Sequence, residues 1–72
     1  MTNAEIRQAI LDVVPTSMSV AAADVVADLS RRLTVPAKQI WPLIVMLTFD
    51  GALIGERQQT AEGKAMVRRA QS

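Results

Sequence analysis

Apolar residues recur at helical spacing through the first fifty positions, and this pattern predicts three helices. In the first helix, Thr2 and Glu5 stand at the spacing of a capping box, in which each side chain bonds the other residue's backbone N–H. The helix is expected to begin there and to end before Pro15. Its apolar stripe consists of Ile6, Ile10, Val13 and Val14.

A second helix is expected between the polar segment 16–19 and Pro36. Hydroxyl side chains in that segment can cap the first turn of the helix. The residue before a proline is pushed out of the helical conformation, so the helix should end at Thr34-Val35 and a tight turn should follow. The predicted inner face consists of Val25, Val26, Leu29 and Leu33.

The third helix is predicted from about Pro36 to Phe49. It should end at Asp50-Gly51, because glycine accepts the left-handed conformation that follows many helices. Pro42 lies inside this span and has no backbone N–H, so a short turn followed by a helix that begins at Pro42 is an open alternative. The inner face is expected to hold Ile40, Leu43, Ile44 and Leu47.

After Gly51 the sequence becomes compatible with extended structure. We predict a β-hairpin that pairs residues 52–58 with residues 64–69 across a loop at 59–63. A C-terminal helix over residues 61–71 is the competing hypothesis, because alanine, glutamate and lysine favour helix over strand. The expected fold class is therefore mostly α with a small β-hairpin, in a single domain over residues 1–72.

The composition removes the residues on which most catalytic and metal chemistry depends. The chain contains no cysteine and no histidine, so the usual zinc sites and histidine-based triads cannot be built. The seven acidic residues are spread along the chain. We expect a protein that is not an enzyme and that has no catalytic residue, no metal site and no cofactor.

Charge is unevenly distributed along the chain. The first 30 residues hold one basic and four acidic side chains, whereas the remaining residues hold seven basic and three acidic ones. The basic half can face phosphate, although scattered surface charge explains the same pattern. The N-terminal residues do not resemble a signal peptide, and the apolar stretch 40–47 is too short to span a bilayer, so we expect a cytoplasmic protein with no membrane contact.

Residues 19–54 resemble the winged helix-turn-helix family of DNA-binding domains. In size the chain is similar to the small bacterial regulators that consist of little more than one such domain. The resemblance implies a three-helix core with a two-stranded wing, in which the third helix enters the major groove of duplex DNA. The matching features are the apolar helix at 22–33, the turn residue Val35, the positions of Ile40, Leu43 and Leu47, and the run Asp50-Gly51-Ala52-Leu53-Ile54.

The resemblance also implies which residues contact DNA. Lys38, Gln39 and Trp41 would lie in or beside the base-reading surface, and basic residues of the second helix and the wing would contact phosphate. We therefore expect a transcription regulator that binds duplex DNA as a homodimer. The expected DNA-binding set is Arg31, Arg32, Lys38, Gln39, Arg57, Gln58, Lys64, Arg68 and Arg69.

The third helix departs from the family pattern on its outer face. Most side chains there are apolar and cannot form a hydrogen bond with a base edge. In the wing, Glu56 and Glu62 weaken the positive electrostatic field of the basic residues. Three interpretations remain open: the residues fill the domain's own core, contact a second copy, or dock a foreign protein. The alternative function is a protein-interaction or dimerisation module that does not bind DNA. Its expected interface is Trp41, Pro42, Val45, Met46 and Phe49.

Overall fold

Three helices and three short strands form along residues 1–57 and 65–71, which the computed structural model describes. The strands form one antiparallel sheet in the order β1-β3-β2. The described part of the chain is therefore mostly α with a small sheet, as the pattern predicts. The elements are α1 (Asn3–Val13), β1 (Val20–Ala21), α2 (Ala22–Leu33), α3 (Ala37–Phe49), β2 (Leu53–Arg57) and β3 (Ala65–Arg69).

Helix α1 begins with the predicted capping box. The backbone N–H of Glu5 donates to Thr2 Oγ1 at 3.2 Å, and the backbone N–H of Thr2 donates to Glu5 Oε1 at 3.2 Å. The backbone bond from Thr2, and then the bond from its hydroxyl, lower the pKa of Glu5 below its ordinary value because both stabilise the carboxylate. Ile6 and Ile10 are fully buried, so the first predicted stripe faces the core.

Helix α2 begins differently from the prediction. The polar segment 16–19 does not cap it; the N-cap is Ala21, which makes no side-chain cap bond. The reason is that residues Val20–Ala21 form strand β1, so the chain enters α2 directly from the sheet. At its other end, Thr34 takes the left-handed conformation with φ 54° and produces the predicted tight turn before Pro36.

Helix α3 continues through Pro42. Pro36 is its N-cap and Ala37 its first residue, so the alternative of a helix that begins at Pro42 is wrong. Pro42 removes one donor from the middle of the helix, because its nitrogen carries no hydrogen for the carbonyl of Lys38. The apolar residues on either side of Pro42 keep the segment helical by packing into the core.

Gly51 terminates α3 in the left-handed conformation, with φ 83°. The backbone N–H of Ala52 donates to the carbonyl of Leu47 at 3.0 Å, and that of Gly51 donates to the carbonyl of Thr48 at 3.3 Å. This is the Schellman arrangement, which satisfies two carbonyls that the end of a helix leaves without partners. It turns the chain directly into β2.

Strands β2 and β3 form the predicted hairpin, with Leu53 opposite Arg69 and Arg57 opposite Ala65. The competing C-terminal helix is wrong over Ala65–Arg69, which is strand. Residues 58–64, and with them the expected loop at 59–63, lie outside the described residues. The third strand, β1, was not predicted. It pairs with β3 through two residues, Val20 opposite Val67 and Ala21 opposite Met66.

The core lies between the three helices and one face of the sheet. All four predicted inner residues of α3 are buried, whereas Val13 and Leu33 from the predicted stripes of α1 and α2 are only partly buried. Among the described residues, no buried side chain is polar or charged. Apolar packing therefore fixes the rotation of α3 about its axis, and this rotation determines which residues face outward. The largest fully buried side chains are Ile6, Ile10, Val14, Leu29, Ile40, Leu47 and Leu53.

Candidate functional site

The outer face of α3 presents large apolar side chains to solvent. The exposed fractions are 38% for Trp41, 53% for Val45, 50% for Met46 and 89% for Phe49. Pro42, on the same face, is exposed as well. The hypothesis that some of these side chains fill the domain's own core against the C-terminal segment is therefore wrong for Met46 and Phe49, whereas Trp41 is more than half buried. Helix α3 has two apolar faces, and the protein's own core covers one of them.

Trp41, Val45 and Phe49 follow one another at intervals of four residues. Side chains at this spacing stand in a row along a helix, and such rows are the ridges by which helices pack against each other. We call these three residues the outer ridge. A single exposed apolar residue is ordinary, whereas a contiguous exposed apolar row is unusual on the surface of a monomeric protein.

A groove of about 650 Å³ lies between the outer ridge and the hairpin. On the helix side it is lined by the outer ridge together with Ile44 and Thr48 of α3 and Ala22 of α2, and on the sheet side it is lined by β2 and β3. Gly55 keeps the hairpin close to α3, since a Cβ at this position would lie 3.3 Å from Thr48 Cγ2. The sheet side of the groove consists of Gly55, Glu56, Ala65, Met66 and Val67.

Glu56 is the ionisable residue among the described residues that line the groove. Ser19 Oγ donates a hydrogen bond to Glu56 Oε1 at 2.6 Å. Ser19 directly precedes β1, and Glu56 belongs to β2. The bond therefore crosses β3, which lies between these two strands. Because serine is neutral, it holds the carboxylate in place without compensating its charge.

Arg31 and Arg32, the predicted phosphate-binding residues at the end of α2, both form ion pairs with Asp28. Arg31 Nη2 lies 3.3 Å from Asp28 Oδ1, and Arg32 Nη1 lies 2.9 Å from Asp28 Oδ2. Exposed ion pairs of this kind contribute about 1 kcal/mol or less, so both guanidinium groups can exchange this partner for another anion. The shared carboxylate nevertheless weakens the positive field at this end of α2.

Lys38 and Gln39 are exposed and stand together in the first turn of α3. That turn contains no acidic residue. Arg68 lies on β3, opposite Ile54 on β2, and is half-buried. Of the other predicted wing residues, Arg57 forms part of β2, whereas Gln58 and Lys64 lie outside the described residues.

Arg69 belongs to the predicted DNA-binding set, but in the structure it bonds to the end of α1 and the segment after it. Its Nη1 donates to the carbonyl of Leu11 at 3.0 Å, and its backbone N–H donates to the carbonyl of Pro15 at 2.9 Å. The first bond satisfies a carbonyl at the C-terminal end of α1 and places a cation at the negative pole of the helix. The guanidinium therefore joins the end of the sheet to α1.

Replacing Arg69 with methionine is expected to lower the free energy of unfolding by about 1–2 kcal/mol, because the partly buried carbonyl of Leu11 loses a charged donor. Arg68→Met is the matched control and should change it by less than about 0.5 kcal/mol. Urea unfolding followed by circular dichroism measures both. Equal losses in the two variants would contradict the capping role of Arg69.

The described residues contain no group of three or more acidic side chains that could hold a metal ion. Within the same residues, no helix is long and apolar enough to cross a membrane. The chain matches no protein-family model, no curated protein and no solved structure. Its function therefore has to be inferred from the surface itself.

The sheet side of the groove was missed by sequence reasoning. Gly55, Glu56 and Met66 reach the outer ridge only after the hairpin has folded against α3. One signal was present in the sequence: Gly55 lacks a side chain in a segment that otherwise favours strand, and this often marks a close approach of backbone to another element.

Proposed function

We propose that this protein is an interaction module that docks a protein partner on the outer ridge and in the adjoining groove. The observation that carries the proposal is the 89% exposure of Phe49 at the end of an apolar row. Burying one such side chain contributes roughly 1.5–3 kcal/mol. Aromatic anchors beside an apolar groove are the residues that dominate binding energy at protein interfaces.

The scaffold we propose for this module is the winged helix-turn-helix fold. Three helices with a hairpin directly after the third are what the sequence resemblance implies. A fold does not determine its function, because unrelated activities use the same scaffold. In this chain the exposed face of the third helix offers docking residues where a DNA-binding member needs hydrogen-bonding ones.

Site-specific photo-crosslinking tests the proposal. A benzophenone amino acid replaces Phe49 in one variant and Met18 in a control, which is 61% exposed and lies outside the groove. After irradiation in the native host, the variant at position 49 should give covalent adducts with a protein of any kind, and the control should give few. Absence of adducts at position 49, or equal yields at both positions, would refute the docking surface.

Duplex DNA binding by a dimeric transcription regulator is the second candidate function. It is favoured by the exposed pair Lys38 and Gln39 in a first turn without acidic residues. Fluorescence anisotropy with random-sequence duplex DNA at about 50 and 200 mM salt tests it. Binding that weakens steeply with salt would support phosphate contacts, and no binding at the lower salt concentration would reject this function.

A further inference from the structure

The spacing of the outer ridge is symmetric about its middle residue. Val45 is its centre, and Trp41 and Phe49 lie four residues to either side, about 6 Å along the helix axis. A twofold axis through Val45 would bring Trp41 of one copy against Phe49 of the other at both ends. Such an axis requires the same patch on both subunits, and a symmetric row meets this requirement.

Of the charges near the ridge, Lys38 and Glu56 favour an antiparallel arrangement, whereas Asp24, which lies with Trp41 at a second, smaller pocket, lowers the positive charge at the lysine end. Lys38 is exposed near the N-terminal end of α3, and Glu56 follows Gly55, whose backbone lies against Thr48 in the last turn of the helix. Two antiparallel helices bring the lysine end of one copy to the glutamate end of the other. A parallel pair would instead place like charges together, which is unfavourable.

The electrostatics of the helix backbone favour the same arrangement. The first turn of α3 has no acidic residue and its last turn has no basic residue, so its own side chains compensate neither pole. Lys38 stands at the positive pole, which is the unfavourable end for a cation. An antiparallel neighbour brings its negative pole towards this lysine and relieves the repulsion.

We propose, on the basis of the interaction function above, that the docked partner is a second copy of this chain. The two α3 helices pack antiparallel about an axis through Val45, and Lys38 of each copy faces Glu56 of the other. One helix face and one groove from each copy make a small interface, at or below about 1,200 Å² in total. The dimer should therefore form reversibly at micromolar concentrations.

Sedimentation velocity over a concentration series tests the dimer. The wild-type chain should shift from monomer to dimer, and Val45→Glu should raise the dissociation constant about 30-fold or more, because it places two like charges on the axis. Met18→Glu adds the same charge at an exposed position outside the groove and should leave the dissociation constant unchanged. Circular dichroism of each variant shows whether it remains folded.

Charge exchange tests the antiparallel arrangement. Lys38→Glu and Glu56→Lys should each weaken self-association about tenfold at low salt, because each puts two like-charged contacts into the dimer. An equimolar mixture of the two variants should restore association, since both contacts in the mixed dimer then pair opposite charges. If the mixture associates no better than either variant alone, the proposed arrangement is wrong.

The remaining outcomes separate this inference from the proposed function. A wild-type chain that stays monomeric at every concentration overturns the homodimer, and so does a dimer that Val45→Glu leaves intact. If position 49 still crosslinks to a different protein in either case, the interaction function stands and only the identity of the partner is wrong. Without crosslinking at position 49, the interaction function itself fails.

Discussion

Replacing Ile40 with alanine is expected to lower the free energy of unfolding by about 3 kcal/mol. Ile40 is fully buried between the helices and the sheet, so its truncation removes apolar burial and leaves a cavity. A domain of this size has a total stability of roughly 4–11 kcal/mol. The substitution therefore removes between about a quarter and three quarters of the stability, and urea unfolding measured by circular dichroism should show a much lower midpoint.

Val45→Ala is the matched control for Ile40→Ala. It truncates an apolar side chain on the opposite, exposed face of the same helix. At concentrations low enough for the chain to be monomeric, it should change the free energy of unfolding by less than about 0.5 kcal/mol. Equal losses at the two positions would mean that the inner and outer faces of α3 have been assigned incorrectly.

Replacing Pro42 with alanine should have the largest stabilising effect, about 2 kcal/mol. Proline inside a helix costs about 3 kcal/mol relative to alanine, and the stiffer unfolded chain that proline provides offsets part of that cost. Alanine restores a donor for the carbonyl of Lys38, and the proline side chain is exposed, so its loss leaves no cavity. Thermal unfolding should shift upward by roughly 10 °C.

Pro36→Ala provides the comparison for the proline prediction. Pro36 is the N-cap of α3 and has a β-region conformation. The N–H group at this position of a helix has no carbonyl partner within the helix, so proline removes no hydrogen bond here. Its replacement should move the melting temperature by no more than about 2 °C. An unchanged or lower melting temperature for Pro42→Ala would show that α3 depends on the geometry imposed by the proline at this position.

The helices were predictable because their signals are local. The capping box at Thr2 and Glu5 and the glycine at position 51 each act within a few residues of where they stand, and the apolar spacing fixes the inner faces. Pro42 was ambiguous because its local preference opposes the helix. Packing of Ile40, Leu43 and Ile44 on both sides of Pro42 outweighs that preference. The helix preferences of single residues do not include such packing.

The start of α2 and the third strand were not predictable in the same way. Two residues are too few to show the alternation of a strand, and Val20–Ala21 becomes β1 only through its pairing with β3. Arg69 is a similar case, because its partners Leu11 and Pro15 are distant in sequence. Contacts between distant segments decide these features, and a single sequence does not reveal them.

The candidate site was predictable in part. Once the inner face of α3 is assigned, helical geometry places the outer ridge on the opposite face, but the sequence left open whether these residues fill the core, contact a second copy or dock a foreign protein. Whether the surface was covered depended on where the hairpin lies, which the sequence left open. The groove forms because the hairpin packs against α3 at Gly55, and the Ser19–Glu56 bond forms because β1 and β2 belong to the same sheet.

The position of β3 in the sheet affects the order in which the molecule can assemble. Its strand neighbours β1 and β2 precede it in the chain, yet β3 lies between them. The helices can begin to associate through contacts between consecutive segments, but the sheet cannot form before residues 65–69 are present, and such distant contacts slow folding. Until β3 forms, the backbone groups of β2 and of residues 20–21 lack their strand partner, and the nascent chain can aggregate at that stage.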